Sequence, residues 1–244
     1  MIALEAVSKS YGGQDILREA SWRIGRGERI GLVGPNGAGK TTLFHCVTGT
    51  LQPSSGSVKL FDTDVTYLPE HQRTKLGIGR TFQITNVFTD LSPVENLALA
   101  IVGTDRRKWI CGRPLGAFPD IRAQALARLD AVGLKDDPDK PVKLLSYGER
   151  RQLELAMAIA SRPKLLLLDE PLAGMGGDES RLMVELVRDL KRTHTILLVE
   201  HDIQAVFSIA DRITVLVSGR TVVTGTPEQV RTNAGVREAY LGEE

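Results

Sequence analysis

The segment Gly34-Pro35-Asn36-Gly37-Ala38-Gly39-Lys40-Thr41-Thr42 decides how this 244-residue chain is interpreted. It matches the pattern GxxxxGK[ST], whose glycines let backbone N–H groups turn towards phosphate oxygens. The apolar run Arg29–Val33 precedes it and predicts a buried strand, while Leu43–Val47 follows it and predicts the start of a helix. A bare match also occurs in glycine-rich turns that bind nothing. Strand, glycine loop and helix N-terminus together favour a phosphate-binding loop.

In a phosphate-binding loop, particular side chains contact the nucleotide and its metal ion. We expect Lys40 to reach the β- and γ-phosphates of a nucleotide and the Thr41 hydroxyl to ligate Mg²⁺. The other expected nucleotide contacts in the loop are Gly34, Asn36, Gly37, Ala38, Gly39 and Thr42.

Composition and charge exclude several classes of protein. The chain is 42% hydrophobic and 25% charged, as soluble globular proteins are, and its net charge of +1 gives no electrostatic reason to expect nucleic acid as a partner. Cys46 and Cys111 have no disulfide or metal-ligand spacing, which fits a reducing compartment. The N-terminus does not resemble a signal peptide, and no apolar run approaches the roughly 20 residues of a membrane helix. We therefore expect a cytoplasmic chain whose membrane role, if any, comes through a partner.

The pattern of apolar residues changes twice along the chain. Residues 1–33 alternate short apolar runs with glycine turns, which predicts antiparallel strands. From Ser92 to Ala160 the spacing is helical, beginning with the capping sequence Ser92–Glu95. After residue 163 come runs that are apolar on both faces, as buried parallel strands are. The prediction is an α/β fold: a parallel-sheet core with an N-terminal antiparallel β subdomain and a helical insertion.

Two carboxylates follow one of these buried runs. Leu165–Leu168 leads directly into Asp169 and Glu170. An aspartate at the carboxyl end of a parallel strand lies at the ligand crevice and can hold Mg²⁺. The next residue points elsewhere and can deprotonate an attacking water. Taken alone, the pair would also suit a surface turn.

At this point the chain resembles a known family. Leu145-Ser146-Tyr147-Gly148-Glu149 stands where the nucleotide-binding subunits of ATP-binding-cassette transporters carry their LSGGQ signature, and further family motifs match in order over essentially the whole length. The resemblance implies a P-loop (RecA-like) core in a single domain over 1–244, with the ATP-binding core at 1–91 and 161–244 and the helical signature subdomain at 92–160.

The resemblance also implies roles for individual residues. Each of them, taken singly, has an ordinary structural alternative: a packed aromatic, a surface glutamine, a structural histidine or a helix cap. Their joint occurrence favours the functional interpretation. The implied roles are adenine stacking for Tyr11, contact with Mg²⁺ and water for Gln83, Mg²⁺ ligation for Asp169, general base for Glu170, a D-loop at Ala173–Gly176 and contact with the γ-phosphate for His201.

The signature implies an assembly. In the family, a head-to-tail dimer closes each signature on the partner's ATP, so Ser146 and Gly148 are expected to contact nucleotide held by another cassette. Tyr147 stands in place of the first glycine of LSGGQ and Glu149 in place of its glutamine. Gly176 stands in place of the usual D-loop aspartate, which puts communication between the two ATP sites in doubt.

Four segments resemble one of the two ATPase subunits of bacterial branched-chain amino-acid importers: the Tyr-Gly form of the signature, Gly79–Gln83, Glu200-His201-Asp202 and the tail Arg237–Gly242. The same tail is also similar to that of lipopolysaccharide-export ATPases, which are the first alternative, and urea or amide importers are further alternatives within the same branch. Cassette ATPases of translation or DNA repair are the alternative of another class. The implied partners are two membrane-spanning permease subunits, a second and different ATPase subunit and, indirectly, a periplasmic or extracellular substrate-binding protein. The implied location is the cytoplasmic face of the inner membrane, as a peripheral subunit.

Overall fold

The structure is a computed structural model that describes residues 1–81, 87–104, 118–190 and 193–236. The strands are β1 (Ile2–Tyr11), β2 (Gln14–Ile24), β3 (Arg29–Val33), β4 (Ser55–Leu60), β5 (Thr63–Asp64), β6 (Ile78–Arg80), β7 (Leu165–Asp169), β8 (Thr195–Val199), β9 (Arg212–Val217) and β10 (Arg220–Gly225). The helices are α1 (Lys40–Thr48), α2 (Glu70–Lys75), α3 (Pro93–Thr104), α4 (Pro119–Ala131), α5 (Tyr147–Ile159), α6 (Gly177–Asp189), α7 (Ile203–Ile209) and α8 (Pro227–Thr232).

The chain divides into two compact units. One comprises Met1–Ile78 and Val187–Glu244, and the other comprises Gly79–Leu186. The boundaries predicted from sequence, at residues 91 and 160, remain a prediction. Within the described ranges, no helix has the length and apolarity that crossing a membrane requires.

The first unit contains both kinds of sheet that the sequence predicts. Strands β2, β1, β4 and β5 form an antiparallel sheet in that order. Strand β3 lies between β8 and β9 and is parallel to both, and β10 closes a hairpin with β9. The predicted α/β class, with a parallel core and an N-terminal antiparallel subdomain, is confirmed.

Local sequence explains how the antiparallel sheet begins. Gly12 and Gly13 join β1 to β2 with φ values of 54° and 87°, a tight hairpin turn that glycine adopts without steric cost. The pairing of β1 with β2 then shifts register between Leu4 and Val7. At this irregularity Ala6 N–H donates to Ser21 Oγ (2.8 Å), so a serine side chain satisfies a backbone donor.

Close packing in the first unit requires two unusual residues. At Gly31 in β3 a Cβ would lie 2.1 Å from Val206 Cγ1, so only glycine lets α7 approach the strand this closely. Arg73 is only 1% exposed. Its guanidinium donates to the carbonyls of Cys46 (2.7 Å) and Val47 (2.8 Å) near the C-terminal end of α1, and it thereby caps the helix that follows the phosphate loop.

The second unit combines a helical core with a buried strand. The helical core packs side chains of α3, α4 and α5 against one another, including Leu97, Ile121, Leu129 and Leu153, all fully buried. Ser92 and Glu95 form the predicted capping contacts at the start of α3: Ser92 N–H donates to Glu95 Oε2 (2.8 Å), and Glu95 N–H donates to Ser92 Oγ (3.3 Å). All five residues of β7 are buried, as the apolar run predicted.

Candidate functional site

The backbone of the phosphate loop is tightly packed. A Cβ at Gly34 would lie 2.1 Å from the carbonyl oxygen of Leu216 in β9. Gly39 has a φ of 98°, and a Cβ there would lie 2.9 Å from the carbonyl oxygen of Ile16 in β2. Glycine is therefore required at both positions, and the loop is held in one shape by strands distant in sequence.

Lys40 begins α1 and is buried within this loop. Its Nζ donates to the carbonyl oxygens of Gly34 (2.6 Å) and Pro35 (3.1 Å), across the loop from its own Cα. Only 7% of the residue is exposed. By contrast, Asn36 and Thr41 are exposed and Thr42 is partly exposed. The loop thus holds a positive charge inside a curve of backbone, the arrangement that suits an anion.

The register of the parallel strands brings His201 to the same edge of the sheet as this loop. Strand β3 pairs Leu32 with Val199 of β8. Gly34 and His201 both follow two residues after this pair, so they leave the sheet at the same level. The sequence predicted both as nucleotide contacts, and the pairing of β3 with β8 supplies the geometry that such a role needs.

A residue that sequence reasoning missed lies next to the histidine. Glu200 is fully buried, whereas the His201 side chain is 58% exposed. Glu200 Oε2 lies 3.5 Å from His201 Nδ1 and accepts a hydrogen bond from His201 N–H (3.2 Å). Glu200 therefore flanks the Nδ1 side of the imidazole, and Nε2 is the ring nitrogen farther from this carboxylate. The acidic residue directly before the histidine was the signal available in the sequence.

Tyr11 ends β1 with its ring open to solvent. The residue is 48% exposed, and Lys9 Nζ lies 5.0 Å from the centroid of its ring. The ring is therefore not a core aromatic, which was the structural alternative for this residue. An exposed aromatic ring is what stacking on a base requires.

In the second unit, Asp169 ends β7 in a buried position. It is 3% exposed, and its backbone N–H donates to Thr81 Oγ1 (3.3 Å). Burial raises the pKa of its carboxyl group, and the charge of Glu170 adds to this, while Arg80 and Arg151 act in the opposite direction. A buried carboxylate of this kind is stabilised by a nearby cation.

Glu170 has an unusual backbone conformation. Its φ is 47°, in the left-handed region that a residue with a Cβ seldom adopts. The turn is closed by Ala173 N–H, which donates to the Glu170 carbonyl (3.1 Å). Such strain is found at functional sites, where it aims a side chain. Gln83, the third predicted catalytic residue, lies outside the described residues.

The signature begins helix α5 with a complete capping box. Ser146 Oγ accepts from Glu149 N–H (3.1 Å), and Glu149 Oε2 accepts from Ser146 N–H (2.7 Å). The glutamate that departs from LSGGQ is therefore a helix-capping residue. The Ser146 cap, which the sequence left as an alternative, is present together with a buried Gly148.

Tyr147, the other departure in the signature, connects α5 to the segment Ala173–Gly176. Its hydroxyl donates to the Ala173 carbonyl (3.0 Å) and accepts from Arg151 Nη2 (2.9 Å). Arg151 is buried and forms an ion pair with buried Glu154 (3.0 Å). Sequence reasoning did not single out this network, because its members become neighbours only through folding.

Comparison with known proteins identifies the family. The model of the ABC transporter family matches residues 17–173, and a model described as branched-chain amino acid ATP-binding cassette transporter matches residues 220–244. The chain therefore belongs to the ABC transporter family. It is an ATP-binding and ATP-hydrolysing subunit of a transporter.

Three similar proteins illustrate this membership. The high-affinity branched-chain amino acid transport ATP-binding protein LivG of Salmonella typhimurium is 36% identical over 100% of this chain and 98% of its own length. The lipopolysaccharide export system ATP-binding protein LptB of Acidithiobacillus ferridurans is 33% identical over 100% and 98%. A crystal structure of the ADP conformation of MJ1267, an ATP-binding cassette of an ABC transporter, superposes with a TM-score of 0.85 at 26% identity. The match covers 99% of this chain and 98% of the MJ1267 chain.

Proposed function

We propose that this chain is an ATPase subunit of a branched-chain amino-acid importer. The observation that carries the proposal is the match of residues 220–244 to the branched-chain amino acid cassette model. LivG, which is similar over the full chain, supports it. A lipopolysaccharide-export role is the weaker alternative, because the model that matches residues 220–244 is the branched-chain amino acid one, while LptB is similar over the full chain at 33% identity.

The proposed nucleotide site is assembled from the residues described above. The loop Gly34–Thr42 binds the phosphates, with Lys40 supplying the charge, and Tyr11 stacks on the adenine. Thr41, Asp169 and Gln83 are the proposed Mg²⁺ ligands. The buried Asp169 and the exposed Thr41 hydroxyl are oxygen donors of the type that Mg²⁺ prefers, so the residues fit the ion. When bound, Mg²⁺ neutralises charge on the phosphate oxygens.

In the proposed hydrolysis, Glu170 accepts a proton from water as the water oxygen bonds to the γ-phosphorus. The bond from phosphorus to the bridging oxygen breaks, and its electron pair leaves with ADP. His201 orients the γ-phosphate through Nε2, since Glu200 lies beside Nδ1. Ser146 and Gly148 act on nucleotide bound by the opposing cassette.

The proposed partners are two permease subunits and a second, different ATPase, with a substrate-binding protein acting indirectly from the other side of the membrane. The subunit itself would lie peripherally on the cytoplasmic face. An exposed apolar surface supports a permease contact: Phe88 is 57% exposed and Leu144 is 65% exposed. Their segments adjoin, because Lys143 N–H donates to the Thr89 carbonyl (2.9 Å). The absence of a side chain at Gly176 supports asymmetry, since a partner that keeps an aspartate there would supply a contact this chain lacks.

Glu170→Gln tests the catalytic assignment. The amide keeps the shape of the side chain but cannot accept the proton, so turnover should fall on the order of 10²–10⁴-fold while ATP affinity is kept. Calorimetry and phosphate release measure the two quantities. Unchanged turnover would move the role of base to another residue, with His201 the first to examine.

The proposed assembly is tested by co-purification. The chain should be recovered with a multi-helix permease and a second cassette, and its ATPase activity should be faster and cooperative in that assembly. An isolated chain that dimerises on ATP and turns over as fast as the assembled transporter would exclude the heterodimer. It would leave the ATPase assignment unchanged.

A further inference from the structure

We propose that Glu179 occupies the anion site of the signature and competes with the terminal phosphate of the opposing nucleotide for its donors. This inference rests on the proposed function. Glu179 lies in the first turn of α6, and its Oε1 accepts hydrogen bonds from Gly148 N–H (3.2 Å) and Ser146 Oγ (3.4 Å). These are the two residues through which the signature is expected to contact phosphate.

The donors concerned cannot serve both anions at once. The Ser146 hydroxyl has a single hydrogen, and its oxygen already accepts from Glu149 N–H (3.1 Å). Gly148 N–H also has a single hydrogen. Because Glu179 Oε1 accepts from both donors, a phosphate oxygen can take both of them only if the carboxylate leaves. The two anions also repel each other, so their joint presence at this helix N-terminus is unfavourable.

A capping role for Glu179 accounts for only half of its contacts. Its Oε2 accepts from Gly176 N–H (3.3 Å), which is the reach-back contact of a glutamate in the first turn of α6. Oε1 is not needed for that contact, yet it accepts hydrogen bonds from Gly148 N–H and Ser146 Oγ of the signature. A Cβ on Gly148 would lie 2.5 Å from Oε1, so the glycine of the signature provides the space that the carboxylate fills.

The Glu179 carboxylate links the signature to the segment Ala173–Gly176. When phosphate displaces Oε1, the carboxylate that also holds the Gly176 amide must turn. Occupation of the signature would thus release the Gly176 amide, while the Tyr147 hydroxyl still holds the Ala173 carbonyl at the other end of this segment. Glu179 therefore lowers the affinity of the signature for phosphate and ties its occupation to a rearrangement of the neighbouring loop.

The test follows the Gly148 amide resonance in the ¹⁵N-labelled, nucleotide-free chain during titration with inorganic phosphate. We compare the unsubstituted chain with Glu179→Gln and Glu179→Ala. Asp178→Asn is the matched control: it removes the same charge from the same helix turn, and its side chain is 96% exposed. Both Glu179 variants should bind phosphate at Gly148 about tenfold more tightly than the control and the unsubstituted chain, a change of about 1.4 kcal/mol.

Equal phosphate affinity at Gly148 in all four proteins would overturn the proposal and leave Glu179 a helix cap. Weaker binding in the Glu179 variants would also overturn it, since the carboxylate would then be organising the site. Thermal melting identifies variants that have lost their fold. If Glu179→Ala unfolds, the nearly isosteric Glu179→Gln decides the question. ATP binding by the unsubstituted chain is measured separately by calorimetry, and its absence would overturn the proposed function whatever the phosphate titration shows.

Discussion

The phosphate loop and the signature are both helix N-termini that favour anions, but they achieve this differently. In the phosphate loop, the charged Nζ of Lys40 lies within the loop and donates hydrogen bonds to backbone carbonyls five and six residues away. In the signature, Ser146 and Gly148 donate to a carboxylate more than 30 residues away, and Tyr147 reaches Ala173. In the first site the charged side chain bonds within one short segment, although strands distant in sequence pack against the glycines of that segment. The second depends on contacts between distant segments, and it is the second that the structure shows engaged with the chain's own acid.

The largest effect is expected in the phosphate loop, where Lys40→Ala should weaken ATP binding. Lys40→Ala removes a buried charge that donates two hydrogen bonds within the loop and is proposed to bind phosphate. Hydrogen bonds to charged groups contribute about 1.5–3 kcal/mol each, so ATP affinity should fall on the order of 10²-fold or more. Calorimetry measures this, with Lys59→Ala on β4 as the control for lost charge. Unchanged affinity would refute the assignment of the loop.

Tyr147→Phe tests the dependence of the signature on tertiary contacts. Removing the hydroxyl leaves the buried Arg151 guanidinium and the Ala173 carbonyl without this partner. A buried group that loses its partner costs about 1–3 kcal/mol, which denaturant unfolding can measure. Tyr67→Phe is the control, because Tyr67 is 73% exposed, and its effect should stay within about 0.5 kcal/mol. Equal stability of the two variants would mean that the hydroxyl network does not hold α5 to the loop.

Asp169→Asn should have the smallest effect of the three variants. It should stabilise the nucleotide-free chain, whereas Tyr147→Phe should destabilise it. Burial raises the pKa of the Asp169 carboxyl group above its ordinary value of 3.8, so the folded state favours the protonated form. Stability therefore falls as pH rises from about 3.8 through the folded pKa, and the penalty persists at neutral pH. Removing the charge should raise Tm of the nucleotide-free chain by a few degrees, since about 1 kcal/mol corresponds to about 2–4 °C at this size.

Melting curves at several pH values test the Asp169 prediction, with exposed Asp15→Asn as the control. The gain in Tm should appear at pH 7 and shrink as the pH approaches 4. A lower Tm at neutral pH would show that the ionised carboxylate is held by favourable contacts and not penalised by burial.

Much of the fold follows from local patterns. The run Leu165–Leu168, the phosphate loop and the caps at Ser92 and Ser146 were visible in the sequence, because a strand, a glycine turn or a capping box depends on residues within a few positions of one another. The family resemblance extended the prediction to Tyr11, Gln83 and His201, because a family's motifs follow one another in a fixed order along the chain.

The sequence by itself determined the α/β class, the phosphate loop and the membership of a family. Only the tertiary structure decided that Glu200 is fully buried beside His201, that Tyr147 connects the signature to Ala173 and that Glu179 fills the signature's donor site. The physical reason is the range of the interactions. Backbone conformation is set by neighbours in the chain, whereas a side-chain hydrogen bond across 26 or 31 positions forms only when the packing of whole elements brings donor and acceptor together.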